Sequence, residues 1–397
     1  MNLLLSPDTT IGFLGAGQLA RMSATAAYQL GIRTAAYSGT YVDSMEPSSN
    51  DNKPLQPLEL MTPFRYPGTF EDEDRLIRFA RTCDVVTLEN EFMDGELLGR
   101  AERASGTTFY PSPATFRQLE SKLLEKDTFR RAGIPVTPYQ QISDFRDLET
   151  FAGDHGYPFV LKSSKGGYDG YGNVTVSSPE EHVAAFRSLG GDQGHELIAE
   201  AFIPFQKELA VQVARNRTGT VVYPCCETIQ ENHICQTVIA PAPIAKNLTE
   251  EACNLAVAAT EAIDGIGLFA FEFFLTDDEK ILLNESAPRP HNSGHYTIEG
   301  CVTSQFENHI RTILGLNPGS SQMRRPYAVM ENLLGRHNRP ARVEGAEELW
   351  STSDAHLHIY GKQSSRVGRK MGHITVLGDR LEDVRREAAR LADAVVI

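Results

Sequence analysis

The sequence predicts a multi-domain protein that joins an α/β domain to α+β parts. Three observations lead to this fold class. Strand-like and helix-like segments alternate through residues 10–109, as is typical of a doubly wound parallel sheet. A glycine-rich hairpin loop then occupies 165–173, and a second hairpin with two apolar arms spans 268–286. At roughly 100–200 residues per domain, 397 residues correspond to about two to four domains.

The first domain opens with a strand, a glycine-rich turn and a helix. Thr10–Leu14 is apolar, Gly15–Ala20 matches the pattern G-x-G-x-x-G/A, and Arg21–Leu30 has helical composition. Such a turn brings backbone amides to a ligand phosphate at a helix N-terminus. A dinucleotide site also needs an acidic residue at the end of the second strand, whereas Arg33–Tyr37 is followed by serine and glycine. The pattern alone is therefore weak, and NAD is disfavoured.

Two acidic residues follow a later strand of this domain, Val85–Leu88. Glu89 and Glu91 would lie at the carboxyl edge of a parallel sheet, where such sheets bind ligands. A favourable charge at the N-terminus of the next helix is an equally good interpretation from composition alone.

Lysines and glycines in the central part indicate a phosphate site. Ala114–Ala132 reads as one amphipathic helix that carries Lys122 and Lys126, a spacing usual for a solvated face. Lys162 ends a buried-looking strand, and the loop Lys165–Asn173 after it is rich in glycine. Such a loop is able to lie close over a ligand, and a lysine just before it suits phosphates. A flexible hairpin without a ligand is the alternative.

The hairpin at 268–286 carries two glutamates on largely apolar strands. If Leu275 lies opposite Lys280, Glu272 and Glu285 become diagonal neighbours on one face. Two carboxylates in apolar surroundings repel each other unless a cation or a proton lies between them. Mg2+ usually takes one or two carboxylates together with substrate phosphates. A solvated face or pairing with arginines is the alternative, and a one-residue slip would separate the glutamates.

A basic loop near the C-terminus contrasts with the acidic composition of the chain. The segment 361–373 holds four cations and three glycines, whereas the net charge of the whole chain is −14. A clamp for an anionic substrate and a solvated surface loop are both compatible with it.

Composition excludes several classes of protein. The net charge of −14 disfavours a nucleic-acid partner, and the apolar runs are too short to cross a membrane or to act as a signal peptide. The six cysteines lack paired metal-ligand spacing, so we expect buried free thiols in a reducing, cytoplasmic location.

Five motifs in order resemble the N5-carboxyaminoimidazole ribonucleotide synthase family of the ATP-grasp superfamily. They are GFLGAGQLARM, LKSSKGGYDGYGN, NESAPRPHNSGH, TSQFENHIRTILGL and YGKQSSRVGRKMGH. The resemblance runs nearly end to end and implies an ATP-grasp fold with a Rossmann-like N-terminal domain (1–109), a central ATP-grasp domain with a glycine-rich lid (110–317) and a small C-terminal domain (318–397). It also implies a cytoplasmic homodimer that uses ATP, Mg2+ and bicarbonate to carboxylate 5-aminoimidazole ribonucleotide through carboxyphosphate.

The resemblance also implies roles for individual residues. The metal ligands would be Glu272 and Glu285. The nucleotide would be bound by Lys122, Lys162, Gly167, Gly170, Gly172, Glu200, Phe202, Ile203, Glu208, Gln230 and Asn284. The ribonucleotide would be bound by Gln18, Leu19, Tyr168, Asp169, His291, Asn292, Ser293, Lys362, Arg369 and Lys370. The residues closest to the chemistry would be Tyr168, Asp169, Arg289 and Lys362.

Three positions depart from the family pattern. Tyr171 stands where lysine or arginine usually follows GGYDG, which removes a natural partner for bicarbonate or carboxyphosphate. Gln230 replaces a histidine near the nucleotide, and Ala20 replaces a glycine in the first loop. Three other functions remain: a formate-dependent glycinamide ribonucleotide transformylase with the same fold, a non-catalytic nucleotide-binding protein and, from the first glycine loop alone, an NAD oxidoreductase.

Overall fold

The computed structural model describes residues 6–38, 55–89, 91, 93–166 and 172–397. The first domain begins with a parallel sheet flanked by helices. Its elements are β1 (Thr10–Leu14), α1 (Gln18–Gln29), β2 (Arg33–Ser38), β3 (Phe64–Pro67), α2 (Glu73–Ala80), β4 (Val85–Leu88), α3 (Gly95–Ser105) and β5 (Thr108–Tyr110). The strand order is β3-β2-β1-β4-β5, and every neighbouring pair is parallel. The chain reverses its winding direction between β1 and β4, so the loops after these two strands meet at one edge.

The predicted helix Ala114–Ala132 is wrong in one respect, because the structure has two helices there. They are α4 (Pro113–Arg117) and α5 (Lys122–Arg131). Ser121 adopts an extended backbone and its hydroxyl accepts the amide proton of Leu124, so it caps a new helix. The amide of Lys122 donates to the carbonyl of Ser164, which fixes the start of α5 beside the end of β7.

A small antiparallel sheet follows, with the order β6-β9-β7-β8. Its elements and the helices that cover it are β6 (Tyr139–Ile142), α6 (Asp147–His155), β7 (Phe159–Ser163), β8 (Asn173–Val176), α7 (His182–Ser188) and β9 (Leu197–Ala201). Apolar side chains of both helices and of the strands form one buried cluster, which holds β7 and β8 in place on either side of residues 167–171.

The largest sheet is antiparallel and runs through the rest of the chain. This part of the chain contains, in order, β10 (Phe205–Asn216), β11 (Gly219–Val222), β12 (Cys226–Glu231), β13 (Ile234–Ala240), α8 (Lys246–Ala262), β14 (Gly267–Thr276), β15 (Ile281–Ala287), α9 (Thr297–Gly300), α10 (Gln305–Ile313), β16 (Tyr327–Leu334), β17 (Arg339–Pro340), β18 (Ala355–Ile359), β19 (Ser364–Ser365), β20 (Lys370–Gly378) and α11 (Leu381–Ala394). Of these strands, β17 and β19 pair with each other in a separate two-stranded sheet, and the others form the large sheet. The order is β15-β14-β10-β12-β13-β16-β20-β18, with β11 beside β10. Strands from the C-terminal part therefore extend the central sheet.

Helix α10 joins the first domain to the central sheet. Phe306, Ile310 and Ile313 on this helix pack into the same buried cluster as residues of α1 and β1. The hydroxyl of Thr87 on β4 also lies 2.9 Å from Nε2 of His309. These contacts pack α10 against the parallel sheet of the first domain.

The register of the β14–β15 hairpin differs from the one predicted. Leu275 lies opposite Ile281 rather than Lys280, and Phe273 lies opposite Leu283. A bulge then shifts the pairing by one residue, so that Glu272 lies directly opposite Glu285. The predicted shared face is correct, but the two glutamates are cross-strand partners and not diagonal neighbours.

Candidate active site

One cavity of about 520 Å3 lies between the small antiparallel sheet and the large one. This volume is ordinary for a small-molecule site. Fourteen of the sequence-predicted site residues line it: Lys162, Glu200, Phe202, Ile203, Glu208, Gln230, Glu272, Asn284, Glu285, Arg289, His291, Asn292, Ser293 and Lys370. Five of them lie on two strand pairs of the large sheet, β14–β15 and β10–β12: Glu208, Gln230, Glu272, Asn284 and Glu285.

The two opposed glutamates form the acidic part of the cavity. Burial and the neighbouring carboxylates of Glu285 and Glu208 raise the pKa of Glu272 to about 8. Lys122, at the start of α5, lies with Nζ 3.1 Å from Oε1 of Glu285. Burial lowers the pKa of this lysine, but Glu285, Glu125 and Glu200 outweigh that effect and raise it above its ordinary value. The ammonium group of Lys122 therefore lies beside the opposed carboxylates of Glu272 and Glu285.

A second charged group lies beside it and is more deeply buried. Lys162 on β7 and Lys126 on α5 lie 3.1 and 3.3 Å from the carboxylate of Glu200 on β9. Burial alone would raise the pKa of Glu200, but the two lysines hold it at about 2. The solvated face expected for Lys126 is therefore wrong, since this side chain is only 2% exposed. The carboxylate of Glu200 therefore contacts both lysines and holds the side chain of Lys162 in position at the cavity.

Residues suited to a nucleoside lie at one side of this charged group. Phe202 and Ile203 follow β9 and line the cavity, with 52% of Phe202 exposed. Glu208 on β10 is hydrogen-bonded to Gln230 on β12, and burial raises the pKa of this glutamate to about 7. The exposed ring of Phe202 beside the half-buried carboxylate of Glu208 provides both a stacking surface and a hydroxyl acceptor.

Arg289 lies at the opposite side and is held by the first domain. Its Nε and Nη2 atoms donate to the two carboxylate oxygens of Glu91, at 2.5 and 2.8 Å. Glu89, two residues earlier, accepts hydrogen bonds from the backbone amides of Gly17 and Leu19 at the start of α1. Burial raises the pKa of Glu89 to about 7, and Arg289 and Lys362 lower it in part. The protein's own carboxylate thus occupies the helix terminus that a dinucleotide phosphate would need.

The polar segment after β15 is ordered by its own hydrogen bonds. Nδ1 of His291 lies 2.8 Å from the hydroxyl of Ser293, and Gln212 donates to the same hydroxyl at 2.8 Å. Burial, Arg289 and Lys370 lower the pKa of His291 to about 3. The imidazole is therefore neutral, and its 3.7 Å approach to Glu272 is not an ion pair. Asn292 donates to the side chain of Asn332 on β16.

Six other predicted residues do not line this cavity: Gln18, Leu19, Lys122, Gly172, Lys362 and Arg369. Lys362 donates to the backbone carbonyl of Lys370 at 2.7 Å, so the basic loop joins the cavity through Lys370. The guanidinium of Arg369 donates to Ser364, within its own loop. Gly167, Tyr168, Asp169 and Gly170 lie outside the described residues, as does Tyr171.

Sequence reasoning missed several residues of the site. Glu125 on α5 is buried, and both the amide and the hydroxyl of Ser286 donate to it at 2.5 Å. Thr137 bridges Lys126 and Glu200 through its hydroxyl. The i, i+3, i+4 spacing of Lys122, Glu125 and Lys126 was the available signal, because it places three charges on one helix face.

The sequence and the fold are both similar to those of known proteins. Three family models match: a ribonucleotide synthetase preATP-grasp domain at residues 8–118, an ATP-grasp domain at 127–306 and a phosphoribosylaminoimidazole carboxylase C-terminal domain at 328–387. The N5-carboxyaminoimidazole ribonucleotide synthase of Synechococcus elongatus is 36% identical, covering 94% of this chain and 91% of its own. The chain belongs to the N5-carboxyaminoimidazole ribonucleotide synthase family.

Further relatives are similar to this chain in sequence and in fold. The phosphoribosylaminoimidazole carboxylase of Schizosaccharomyces pombe is 36% identical over 98% of this chain and 68% of its own length. The Aspergillus clavatus carboxyaminoimidazole ribonucleotide synthase complexed with ATP superimposes with a TM-score of 0.85 at 34% identity, covering 98% of this chain and 99% of that one. The same enzyme with ADP and 5-aminoimidazole ribonucleotide gives a TM-score of 0.83 at 32% identity, with the same coverage. The predicted ATP-grasp fold is confirmed.

The acidic pair fits the Mg2+ expected in this family. Burial and then the repulsion of Glu285 and Glu208 raise the pKa of Glu272, and a divalent cation between opposed carboxylates would offset that repulsion. In the part of the chain that the structure describes, no cluster of three or more His, Cys, Asp or Glu side chains would enclose a metal by itself. Mg2+ in nucleotide sites usually takes one or two carboxylates together with substrate phosphates. Among the described residues, no helix is long and apolar enough to cross a membrane.

Proposed function

We propose that this protein uses ATP and bicarbonate to carboxylate 5-aminoimidazole ribonucleotide, giving N5-carboxyaminoimidazole ribonucleotide for purine biosynthesis. One observation carries the proposal: the Glu272–Glu285 pair lines one cavity together with Lys162, Arg289 and Lys370, and Lys122 pairs with Glu285 from the start of α5. Such a cavity accommodates a nucleoside triphosphate at one end and an anionic second substrate at the other.

The first step is the transfer of the γ-phosphoryl group of ATP to bicarbonate. The bicarbonate oxygen forms a bond to phosphorus, the bond to the β-phosphate oxygen breaks, and ADP and carboxyphosphate result. Such a transfer needs positioned charge rather than a protein nucleophile. Lys122 and Lys162 would supply cations for the phosphates, and Glu272 and Glu285 would hold Mg2+ there, with Asn284 beside them at the nucleotide. When bound, the Mg2+ ion neutralises charge on the phosphate oxygens.

The second step transfers the carboxyl group to the exocyclic amine of the ribonucleotide. Carboxyphosphate releases phosphate and CO2, the amine nitrogen attacks the carbon, and the amine loses one proton. Arg289, held by Glu91, and Lys370 face the region where these anions would lie. His291, Asn292, Ser293, Lys362 and Arg369, with Gln18 and Leu19, would bind the ribonucleotide. Water must be excluded because carboxyphosphate hydrolyses readily, and the hairpin loop at 166–172 is proposed as the lid.

The nucleoside would lie against Phe202 and Ile203, with its ribose on Glu208. Gln230 is hydrogen-bonded to Glu208, so the amide is able to take the place of the usual histidine as a polar neighbour of the nucleotide. Tyr168 and Asp169 would approach the amine from the lid, as the resemblance implies. The family also implies a cytoplasmic homodimer, which light scattering after gel filtration and cell fractionation would test.

A coupled assay of ADP release tests the proposal. We expect release to require 5-aminoimidazole ribonucleotide and bicarbonate together, with the carboxylated product appearing at the same rate. Dependence on formate and glycinamide ribonucleotide would instead indicate a transformylase. A lack of ADP release with every substrate present would indicate a nucleotide-binding protein without catalysis.

A further inference from the structure

The register of the acidic pair depends on one extra residue in β15. Phe273 lies opposite Leu283 and Glu272 lies opposite Glu285, so Asn284 has no partner on β14 and forms the bulge. Without it, Glu272 would face Asn284, and Glu285 would project from the other face of the sheet. The bulge therefore decides whether the two carboxylates meet.

Helix α5 binds the bulge from one side. Nζ of Lys126 donates to the backbone carbonyl of Asn284 at 3.1 Å. One helical position earlier, Glu125 accepts from the amide and the hydroxyl of Ser286, both at 2.5 Å. The contacts of α5 with β15 thus fall on the two residues that flank Glu285, while Lys122 pairs with the Glu285 side chain.

The segment after α5 fixes the residue on the other side of the bulge. The amide of Leu283 donates to the carbonyl of Pro135 at 2.8 Å, and Thr137 donates its own amide to the carbonyl of Leu283 at 3.3 Å. The hydroxyl of Thr137 in turn accepts from Lys126 at 2.6 Å. Residues 283, 284 and 286 are therefore held by one continuous set of contacts from 125–137.

Burying a lysine costs free energy because its ammonium group loses hydration, and a neighbouring carboxylate offsets that cost for Lys126. Lys126 is 2% exposed, and the carboxylate of Glu200 lies 3.3 Å away. A buried carbonyl displaced from a sheet ladder needs a donor, and a charged donor forms a stronger bond than a neutral one. Lys162 also pairs with Glu200, whereas the hydrogen bond to the Asn284 carbonyl comes from Lys126. A variant of each lysine therefore distinguishes loss of the charge on Glu200's partners from loss of the contact with the bulge.

We propose that Lys126 is a positioning residue that sets the register of β15 by binding the Asn284 carbonyl, and thereby places Glu285 opposite Glu272. Its effect on a bound cation rests on the function proposed above. Its effect on the strand does not, because the contact is present in the protein alone.

The first test is backbone amide exchange in the ligand-free protein, measured by mass spectrometry over residues 281–287. Lys126→Met keeps the length of the side chain and removes the donor. We expect exchange in this segment to become about ten-fold faster, the effect of losing one charge-assisted hydrogen bond. Lys162→Met is the matched control, since it removes the other partner of Glu200, and its exchange in 281–287 should stay near wild type. Unchanged exchange in Lys126→Met would overturn the proposal.

The second test is the affinity for ADP, measured by calorimetry with and without Mg2+. In Lys126→Met the gain in affinity that Mg2+ provides should fall about ten-fold or more, as for other residues that orient metal ligands. In Lys162→Met the affinity for ADP should fall by the same factor with and without Mg2+, so the gain that Mg2+ provides stays as in wild type. A gain equal to wild type in Lys126→Met would also overturn the proposal. If Mg2+ does not increase the affinity of the wild-type protein for ADP, the proposed function is contradicted. The exchange measurement alone then tests the role of Lys126.

A milder variant covers the case in which Lys126→Met does not fold. Thr137→Val keeps the shape of the side chain and removes the hydroxyl that orients Lys126. We expect faster amide exchange in residues 281–287 and a smaller Mg2+-dependent gain in ADP affinity. Each should change by about three-fold, because only a neutral acceptor is lost. Wild-type values for both measurements in a folded Thr137→Val protein, with Lys126→Met unfolded, would contradict the proposal.

Discussion

Glu91 and Arg289 form a two-point salt bridge that joins the first domain to the end of β15. Both carboxylate oxygens accept from the guanidinium, at 2.5 and 2.8 Å, across 198 positions of the chain. Glu91 follows β4, at the edge where the parallel sheet reverses its winding, and Arg289 lies two residues beyond β15. Glu91 in the first domain therefore fixes the orientation of Arg289, a cationic side chain that lines the cavity.

Removing this carboxylate should lower both stability and turnover. In Glu91→Gln the buried guanidinium loses its counter-charge, and we expect the free energy of unfolding to fall by about 1–3 kcal/mol. ADP release should fall about ten-fold or more, because Arg289 is then free to leave its position. Urea denaturation and the coupled assay measure the two effects. Turnover equal to wild type would show that Arg289 needs no such support.

The stability effect should depend on pH in a defined direction. Burial opposes ionisation of Glu91, but Arg289 outweighs it and holds the pKa of this carboxyl below its ordinary value. A depressed pKa in the folded state gives stability that is complete above the unfolded pKa of about 4.3 and is lost as the pH falls further. The difference in unfolding free energy between wild type and Glu91→Gln should therefore be constant at pH 6–8 and shrink below pH 4. A constant difference down to pH 3 would argue against the pair.

Glu285→Gln should abolish turnover without unfolding the protein. The change removes one of the two opposed carboxylates and the partner of Lys122. We expect ADP release to fall by roughly 100-fold or more, as for the loss of a group that positions charge in phosphoryl transfer. Glu279→Gln is the matched control, because this glutamate is exposed in the turn of the same hairpin. Steady-state ADP release near wild type in Glu285→Gln would refute the role in binding Mg2+.

Binding of Mg2+ with ADP should tighten as the pH rises. The pKa of Glu272 is raised to about 8 by burial, Glu285 and Glu208, so the carboxyl must lose a proton before it binds a cation. Between pH 6 and 8 we expect the Mg2+-dependent gain in ADP affinity to grow, by at most about ten-fold per pH unit. Calorimetry in two buffers of different ionisation enthalpy should reveal the released proton. Glu272→Gln should remove this dependence, and a gain that is independent of pH in wild type would contradict it.

Tyr171 should limit the use of bicarbonate. It replaces a cation in the family motif, and the prediction rests on that resemblance because the residue lies outside the described part of the chain. Tyr171→Arg should lower the KM for bicarbonate about ten-fold, since a guanidinium binds a planar oxyanion at two points. The KM for ATP should not change, which makes it the internal control. An unchanged KM for bicarbonate would show that another group has taken over this contact.

Much of the fold was predictable because its signals are local. The alternation from Thr10 to Leu88 and the two hairpins follow from periodicity, and the cysteines at 225 and 226 do lie in different buried clusters, as expected for neighbours on an extended chain. The break between α4 and α5 was missed because the amphipathic pattern continues across it, whereas Ser121 caps a new helix. The predicted domain limits remain predictions.

The sequence by itself determined which residue types the site contains and the family to which the chain belongs. Only the tertiary structure decided how those residues meet. The bulge at Asn284 is held by a lysine 158 positions away, and Arg289 is held by a glutamate from another domain. Register and charge pairing of this kind depend on contacts between distant segments, and periodicity within one segment carries no information about them.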